Sequence, residues 1–300
     1  MGKSPCYFEV KEVRQEWILD PEEMGSKRKF WFRRPGEGES EWLFKYPRED
    51  TGEHWAEKIA AEIAELLDIR HATVEFAIFE GVRGSVTESF VDDEQELVHG
   101  NQMLEWFVRD YVAGRKYGQS SHTLKNIWQV MDEVFVESEA KMQGKLCIAE
   151  YLVLDALIGN TDRHHENWGI LFDLGVVDLE WLLAPSFDHA SSLGRELRDE
   201  RRSRLLDENR VGDYVEKGHG AIFWSEEDQR GPGPLELARR STRSFPDFFL
   251  PAIENLKSLS QESLIELVDR VPCSWMSPLA RKFAIAQMRY SIEQLGGLVQ

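Results

Sequence analysis

The stretch "LIGNTDRHHENWGILF", Leu157–Phe172, decides how this chain is read. An apolar run ends at Ile158. Asn160, Asp162, Arg163, His164, His165, Glu166 and Asn167 then crowd into one short segment, and an apolar run resumes at Trp168. Polar groups this dense between buried segments are costly unless they are paired or put to chemical use. The preceding "LCIAEYLVLDALI" (146–158) is apolar nearly all round and reads as a buried helix. The following "WGILF" (168–172) and "LEWLLA" (179–184) read as a two-stranded hairpin. Beyond it, "APSFDHASSLG" (184–194) carries another carboxylate, Asp188.

A buried helix, a polar loop with Asp162 and Asn167, a hairpin and then Asp188 form a pattern with a chemical meaning. Phosphoryl transfer needs one carboxylate to orient the attacking hydroxyl. It also needs oxygen ligands, a carboxylate and an amide, to hold Mg²⁺ against nucleotide phosphates. The two histidines beside Glu166 also admit a metal-hydrolase reading. Neighbouring loop residues seldom ligate one ion together, however, and no HExxH spacing occurs.

Working outward, the N-terminal ninety residues read as strands around one helix. "YFEVKEV" (7–13), "KRKFWFRR" (27–34) and "SEWLFKYP" (40–47) are β-forming, the last two joined by "PGEGES" (35–40). "EHWAEKIAAEIAELLDI" (53–69) is an amphipathic helix with Ile59, Ile63 and Leu66 on one face. "ATVEFAIFE" (72–80) and "GVRGSVTESFV" (81–91) follow as two strands around Gly81. From Asp92 onward helices dominate: 120–135, 146–158, 245–256, 261–270 and 278–295. In the last, Ser277 caps, Pro278 suits the first turn and Gly296-Gly297 stops the helix. The charge-dense 194–210 reads as a solvated segment. The expected architecture is α+β and two-lobed, with residues 1–91 strand-rich and 92–300 mainly helical.

The chain has 300 residues and a net charge of −18. That disfavours a nucleic-acid surface or adsorption to anionic lipid as the main function. Cys6, Cys147 and Cys273 are far apart, which fits a reducing cytoplasm. The start, "MGKSPCYFEV", has no apolar signal region, and Cys6 stands where a myristoylation motif wants Ser or Thr. No apolar run approaches the ~20 residues of a membrane span.

"GNTDRHHENWGIL" followed by "APSFDHASSLG" resembles the catalytic core of the HipA-like serine/threonine kinases, a bacterial family that includes toxins of toxin–antitoxin systems. The looser resemblance runs from Glu22 to the C-terminus. It implies a two-lobed protein-kinase-like fold using ATP and Mg²⁺, a protein substrate and a small antitoxin-like regulator. It also implies Asp162 as catalytic aspartate, Asn167 and Asp188 as metal ligands, and His164 as the residue that positions the loop. Full-length HipA proteins carry an extra N-terminal subdomain, and this chain looks like the shorter members.

The ATP site should continue into the N-terminal lobe. Lys45, ending a strand, is the candidate lysine for the α- and β-phosphates, with Glu57 in the next helix as its partner. "MGSKRK" (24–29) is preferred over the glutamate-bearing "PGEGE" (35–39) as the phosphate-covering loop, with Gly25, Ser26 and Lys29 as contacts. Ser26 is a candidate autophosphorylation site, since family members resembling this one can be silenced that way. "ESF" (88–90) lies where the interlobe hinge would hold adenine, giving Glu88 and Phe90. The basic cluster "RDERRSR" (198–204) lies where kinases often recognise substrate. A phosphoinositide-type lipid kinase and a nucleotide-binding pseudokinase are the alternatives.

Overall fold

In a computed structural model the chain is described over residues 6–22, 28–36, 40–173 and 181–299. Strands β1 (Val10–Val13), β2 (Ile18–Glu22), β3 (Lys29–Arg33) and β4 (Glu41–Lys45) precede helix α1 (Glu53–Leu66). Strands β5 (Val74–Phe79) and β6 (Val82–Glu88) follow it. These six strands form one sheet in the order β1-β5-β6-β4-β3-β2, antiparallel except where β1 runs parallel to β5.

The β5–β6 turn falls on Glu80 and Gly81, both at positive φ (49° and 78°). That is the backbone a tight two-residue hairpin requires, and glycine adopts it without a Cβ penalty. One face of the sheet packs an aromatic cluster in which Phe30, Phe44 and Phe79 are all buried. α1 is not the one-faced helix expected: Ile59 and Ile63 are buried, but so are Glu53, His54, Glu57, Lys58 and Ala61, so the helix is covered nearly all round. Leu66, expected with Ile59 and Ile63, is exposed, and Leu67 takes its place.

The second part of the chain is built on α4 (Ser138–Ile158), whose last eleven residues, from Ile148, are buried apart from the half-buried Glu150. Gly159 ends the helix at φ 65°. A substituent there would meet the Gln287 amide at 2.3 Å. The chain also forms α2 (Gly100–Phe107), α3 (Leu124–Val134), α5 (Asp199–Asp207), α6 (Val211–Glu216) and α7 (Pro234–Ser244), of which α3 and α7 pack on α4. The remaining helices are α8 (Pro246–Asn255), α9 (Gln261–Asp269) and α10 (Pro278–Gly296).

Strands β7 (Gln95–His99), β8 (Gly169–Asp173) and β9 (Trp181–Leu183) form a second, three-stranded sheet. The expected hairpin after the loop is therefore the pair β8–β9, with β7 added along β8. "QELVH" buries only Val98, too little apolar pattern for a strand to be read from sequence. Likewise β2, "ILDPE", contains a proline and sits at a sheet edge, where a missing N–H is tolerated. The segment 194–210 is not simply solvated. It forms α5, which buries Arg202 and Leu205 against the rest.

Two features bring the parts into register. Ser186 exchanges backbone hydrogen bonds with the strand-like 70–72 segment, Ser186 donating to the Arg70 carbonyl and Ala72 donating to that of Ser186, both at 2.9 Å. At the other end of α1, Gly52 donates to the Arg195 carbonyl at 2.8 Å, and Arg195 reaches the Glu53 carboxylate at 2.5 Å.

Gly84 lies in β6 where a Cβ would sit 2.5 Å from the Phe44 ring and 2.6 Å from the Lys45 carbonyl oxygen. Gly84→Val should therefore overpack the sheet beside Lys45 and cost about 1–3 kcal/mol, read as a lowered denaturation midpoint in urea. An unchanged midpoint would show that this approach is looser than described.

Candidate active site

The site is organised by a buried charge pair under the polar loop. Asp155, one turn from the end of α4, receives Arg163 in a two-pronged contact, Nε to Oδ2 at 2.7 Å and Nη2 to Oδ1 at 2.8 Å. Both side chains are almost wholly buried. The guanidinium has further donors. Nη1 reaches the Asn167 carbonyl at 2.9 Å and the Phe187 carbonyl at 3.2 Å, and Nη2 reaches Ser186 Oγ at 3.0 Å. One side chain thus holds three pieces of backbone, the end of α4, the loop before β8 and the segment after β9. Burial works against the Arg163 charge, but Asp155 outweighs it and keeps the group cationic.

Asp162 stands at the crest of this loop. Its backbone N–H donates to Asn160 Oδ1, and Asn160 is itself held by Asp155 at 2.8 Å. Its carbonyl accepts from the His164 N–H and from Asn167 Nδ2, each at 2.7 Å. Because the Asn167 amide spends its nitrogen on Asp162, its oxygen is turned to the other side. Ser191 Oγ lies 3.4 Å from Asp162 Oδ2.

The remaining groups converge from the sheet. Lys45 Nζ bonds Glu57 Oε1 at 2.9 Å and lies 3.7 Å from Asp188 Oδ1. It therefore ties β4, α1 and the segment after β9 at one point. Burial alone would lower its proton affinity, yet Asp188 and Glu57 more than compensate, so Lys45 stays charged. Asp188 has φ 55°, the left-handed region, a conformation costing a non-glycine residue on the order of 1 kcal/mol. The Arg163 bond to the Phe187 carbonyl supports that turn.

The other sequence-designated residues sort as follows. His164 is buried and accepts the Glu166 backbone N–H at Nδ1. Burial, then the charge of Lys116, pushes its pKa down to about 4, so it is neutral at pH 7 and braces the loop. Lys29 faces Lys45 in register across β3–β4, on the same face of the sheet. Glu88 ends β6 with its N–H on the Thr73 carbonyl, and the Phe90 ring lies 5.4 Å from that of Phe187. Gly25 and Ser26 lie outside the described residues.

Sequence reasoning gave no role to Asp155, Arg163, Lys116 or Tyr111. Asp155 had a signal, since it is a carboxylate inside the apolar run "YLVLDALI". Lys116 bonds Glu166 at 2.7 Å, and Tyr111 bonds the buried His165 at 2.7 Å. Both come from the connection between α2 and α3, which carries no motif of its own.

The family described as the HipA-like C-terminal domain matches residues 23–223. The chain belongs to that family. No curated protein matches it. Among solved structures, the Helicobacter pylori proinflammatory kinase CtkA is similar over 90% of this chain and 92% of its own, at 17% identity and a TM-score of 0.75. HipA of a Shewanella oneidensis MR-1 toxin–antitoxin system, solved with HipB and operator DNA, is similar over 95% of this chain and 67% of its own. The identity there is 13% and the TM-score 0.56. This HipA-like domain has a protein-kinase-like α+β fold, as its sequence implied. Among the described residues, no helix is long and apolar enough to cross a membrane.

Removing Asp155 strands the Arg163 charge in the interior. Asp155→Ala should cost about 3–5 kcal/mol of stability, measured by denaturant unfolding, and Arg163→Lys should be nearly as damaging because an ammonium cannot reproduce the fork. A stable, well-folded Asp155→Ala protein would remove the pair from its organising role.

Proposed function

We propose that this chain is an ATP-dependent serine/threonine protein kinase requiring Mg²⁺. The observation that carries the reading is Lys45, held between Glu57 on α1 and Asp188 after β9. A lysine kept charged in that bracket is suited to the α- and β-phosphates of a nucleotide. Family membership and the kinase fold of the neighbours support the same reading.

The donor set fits a magnesium ion. Asp188 offers a carboxylate and Asn167 an amide oxygen, both hard ligands. Among the described residues no group of three His, Cys, Asp or Glu side chains could hold a metal by itself. That suits an ion completed by substrate phosphates and water. When bound, such an ion offsets charge on the transferring phosphoryl group. The chain's own residues do the rest. Asp162 orients the substrate hydroxyl and accepts its proton as the oxygen bonds to the γ-phosphorus and the bond to ADP breaks. Lys45 steadies the departing diphosphate. Glu57 positions Lys45, and His164 and Arg163 hold the loop. Lys29, Glu88 and Phe90 are the proposed further nucleotide contacts, and Gly25 and Ser26 are proposed as phosphate contacts from their sequence alone.

We place the division between lobes at 91/92, a choice supported by sheet membership, since β6 closes the first sheet and β7 joins the second. A protein hydroxyl is the proposed acceptor and the cytoplasm the proposed location. A small antitoxin-like regulator is proposed by analogy with the HipA–HipB complex.

Asp162→Asn should lower transfer of label from γ-labelled Mg-ATP to protein by at least about a hundredfold, with the melting temperature and nucleotide binding kept. Asp188→Ala should instead weaken Mg²⁺-dependent nucleotide binding. Full transfer by a folded Asp162→Asn protein would contradict the assignment.

A further inference from the structure

A cavity of about 400 Å³ opens beside Asp162. Thr161 and Ser191 form its near edge, and these two residues bracket the aspartate. Thr161 donates its N–H to the Ser191 carbonyl at 3.3 Å, and Ser191 Oγ lies 3.4 Å from the Asp162 carboxylate. The floor is the Gly159 turn and Gln287 of α10. Gln287 is buried, donates Nε2 to the Ile158 carbonyl at 2.7 Å, and has no partner at Oε1 among the described residues.

The rim is cationic in a chain whose net charge is −18. Arg195, Arg201 and Lys217 line it, against a single lining carboxylate, Glu196, which accepts the Tyr214 hydroxyl at 2.7 Å. Arg195 is engaged by Glu53 and Ser191. Arg201 and Lys217 are exposed, and among the described residues neither forms an ion pair. Two unmatched cations on a concave wall next to the hydroxyl-orienting carboxylate focus their field on whatever enters. The walls behind them, Val215, Pro234 and Leu235, are apolar and would strengthen a charge contact by limiting water.

We infer that this cavity is a substrate subsite that selects an acidic side chain close to the acceptor serine or threonine, its carboxylate held by Arg201 and Lys217. The inference names the substrate class for the kinase reading and rests on it. Gln287 Oε1 offers an acceptor at the floor for an N–H of the same peptide. The anion-binding chemistry would also admit a phosphorylated side chain. The acidic peptide is the choice made here, because the two cations belong to different segments, α5 and the turn after α6, and have no shared fork to clamp three phosphate oxygens.

The test uses the full chain with Mg²⁺ and a non-hydrolysable ATP analogue. Fluorescence anisotropy would be read on labelled serine peptides flanked by Asp or Glu, by Ala, or by phosphoserine. The acidic peptide should bind about tenfold more tightly than the Ala peptide, the upper range for two ion pairs made by exposed cations. Arg201→Glu/Lys217→Glu should reduce that preference to within about twofold, leaving nucleotide affinity and melting temperature as they were. Equal binding of acidic and Ala peptides, or a preference that survives the double variant, would overturn the subsite. A phosphoserine peptide bound tenfold more tightly than the acidic one would overturn the choice of acidic substrate. Transfer of label from Mg-ATP is measured separately. Acid-selective binding with no transfer to any hydroxyl would leave the subsite standing and remove the kinase reading.

Discussion

The Asp155–Arg163 pair is the contact on which the site depends. A charge taken into the interior must be matched there, and Arg163 is matched by a two-pronged carboxylate and three further acceptors. The acceptors at Asn167, Ser186 and Phe187 lie in the two segments that carry the proposed site residues Asp162, Asn167 and Asp188. Asp155 fixes Asn160, which fixes the Asp162 backbone. The Asn167 carbonyl is one acceptor, so its amide is placed by the same cation. The Phe187 carbonyl precedes Asp188, whose left-handed backbone needs support. The pair spends desolvation free energy, and what it gains is geometry.

A second link joins this centre to the six-stranded sheet. Lys45 spans Glu57 and Asp188, while Arg195 ties the segment beyond Asp188 to Glu53 at the start of α1. The helix is thus held at its first turn by Arg195 and at Glu57 by Lys45 of β4, whose ammonium also lies 3.7 Å from Asp188. A shift of α1 would disturb Lys45 and the wall of the cavity beside Asp162 together.

Much of this was legible in the sequence because the loop violates the apolar pattern on both sides of it. The density of polar groups at 160–167 has few inexpensive explanations, and the Asp188 segment supplies the complementary carboxylate. Lys45 and Glu57 were legible from strand-then-helix order. What was hidden depends on tertiary pairing. β7 has one buried residue and becomes a strand only because β8 offers an edge. Arg202 looked like part of a solvated charge run, but it lies in a helix that packs it against the body of the protein. Leu66 and Leu67 are adjacent, and only packing decides which faces inward. The supports from the α2–α3 connection, Lys116 and Tyr111, have no local pattern at all.

The central claim is that one buried ion pair gathers Lys45, Asp162, Asn167 and Asp188 around a single nucleotide. A crystal structure of the chain grown with Mg²⁺ and a non-hydrolysable ATP analogue tests it most directly. The expected result is a metal ion on Asp188 and the Asn167 amide oxygen, the α- and β-phosphates on Lys45, and the γ-phosphate facing Asp162. A nucleotide bound away from Lys45, or a metal ion held by neither Asn167 nor Asp188, would contradict the account.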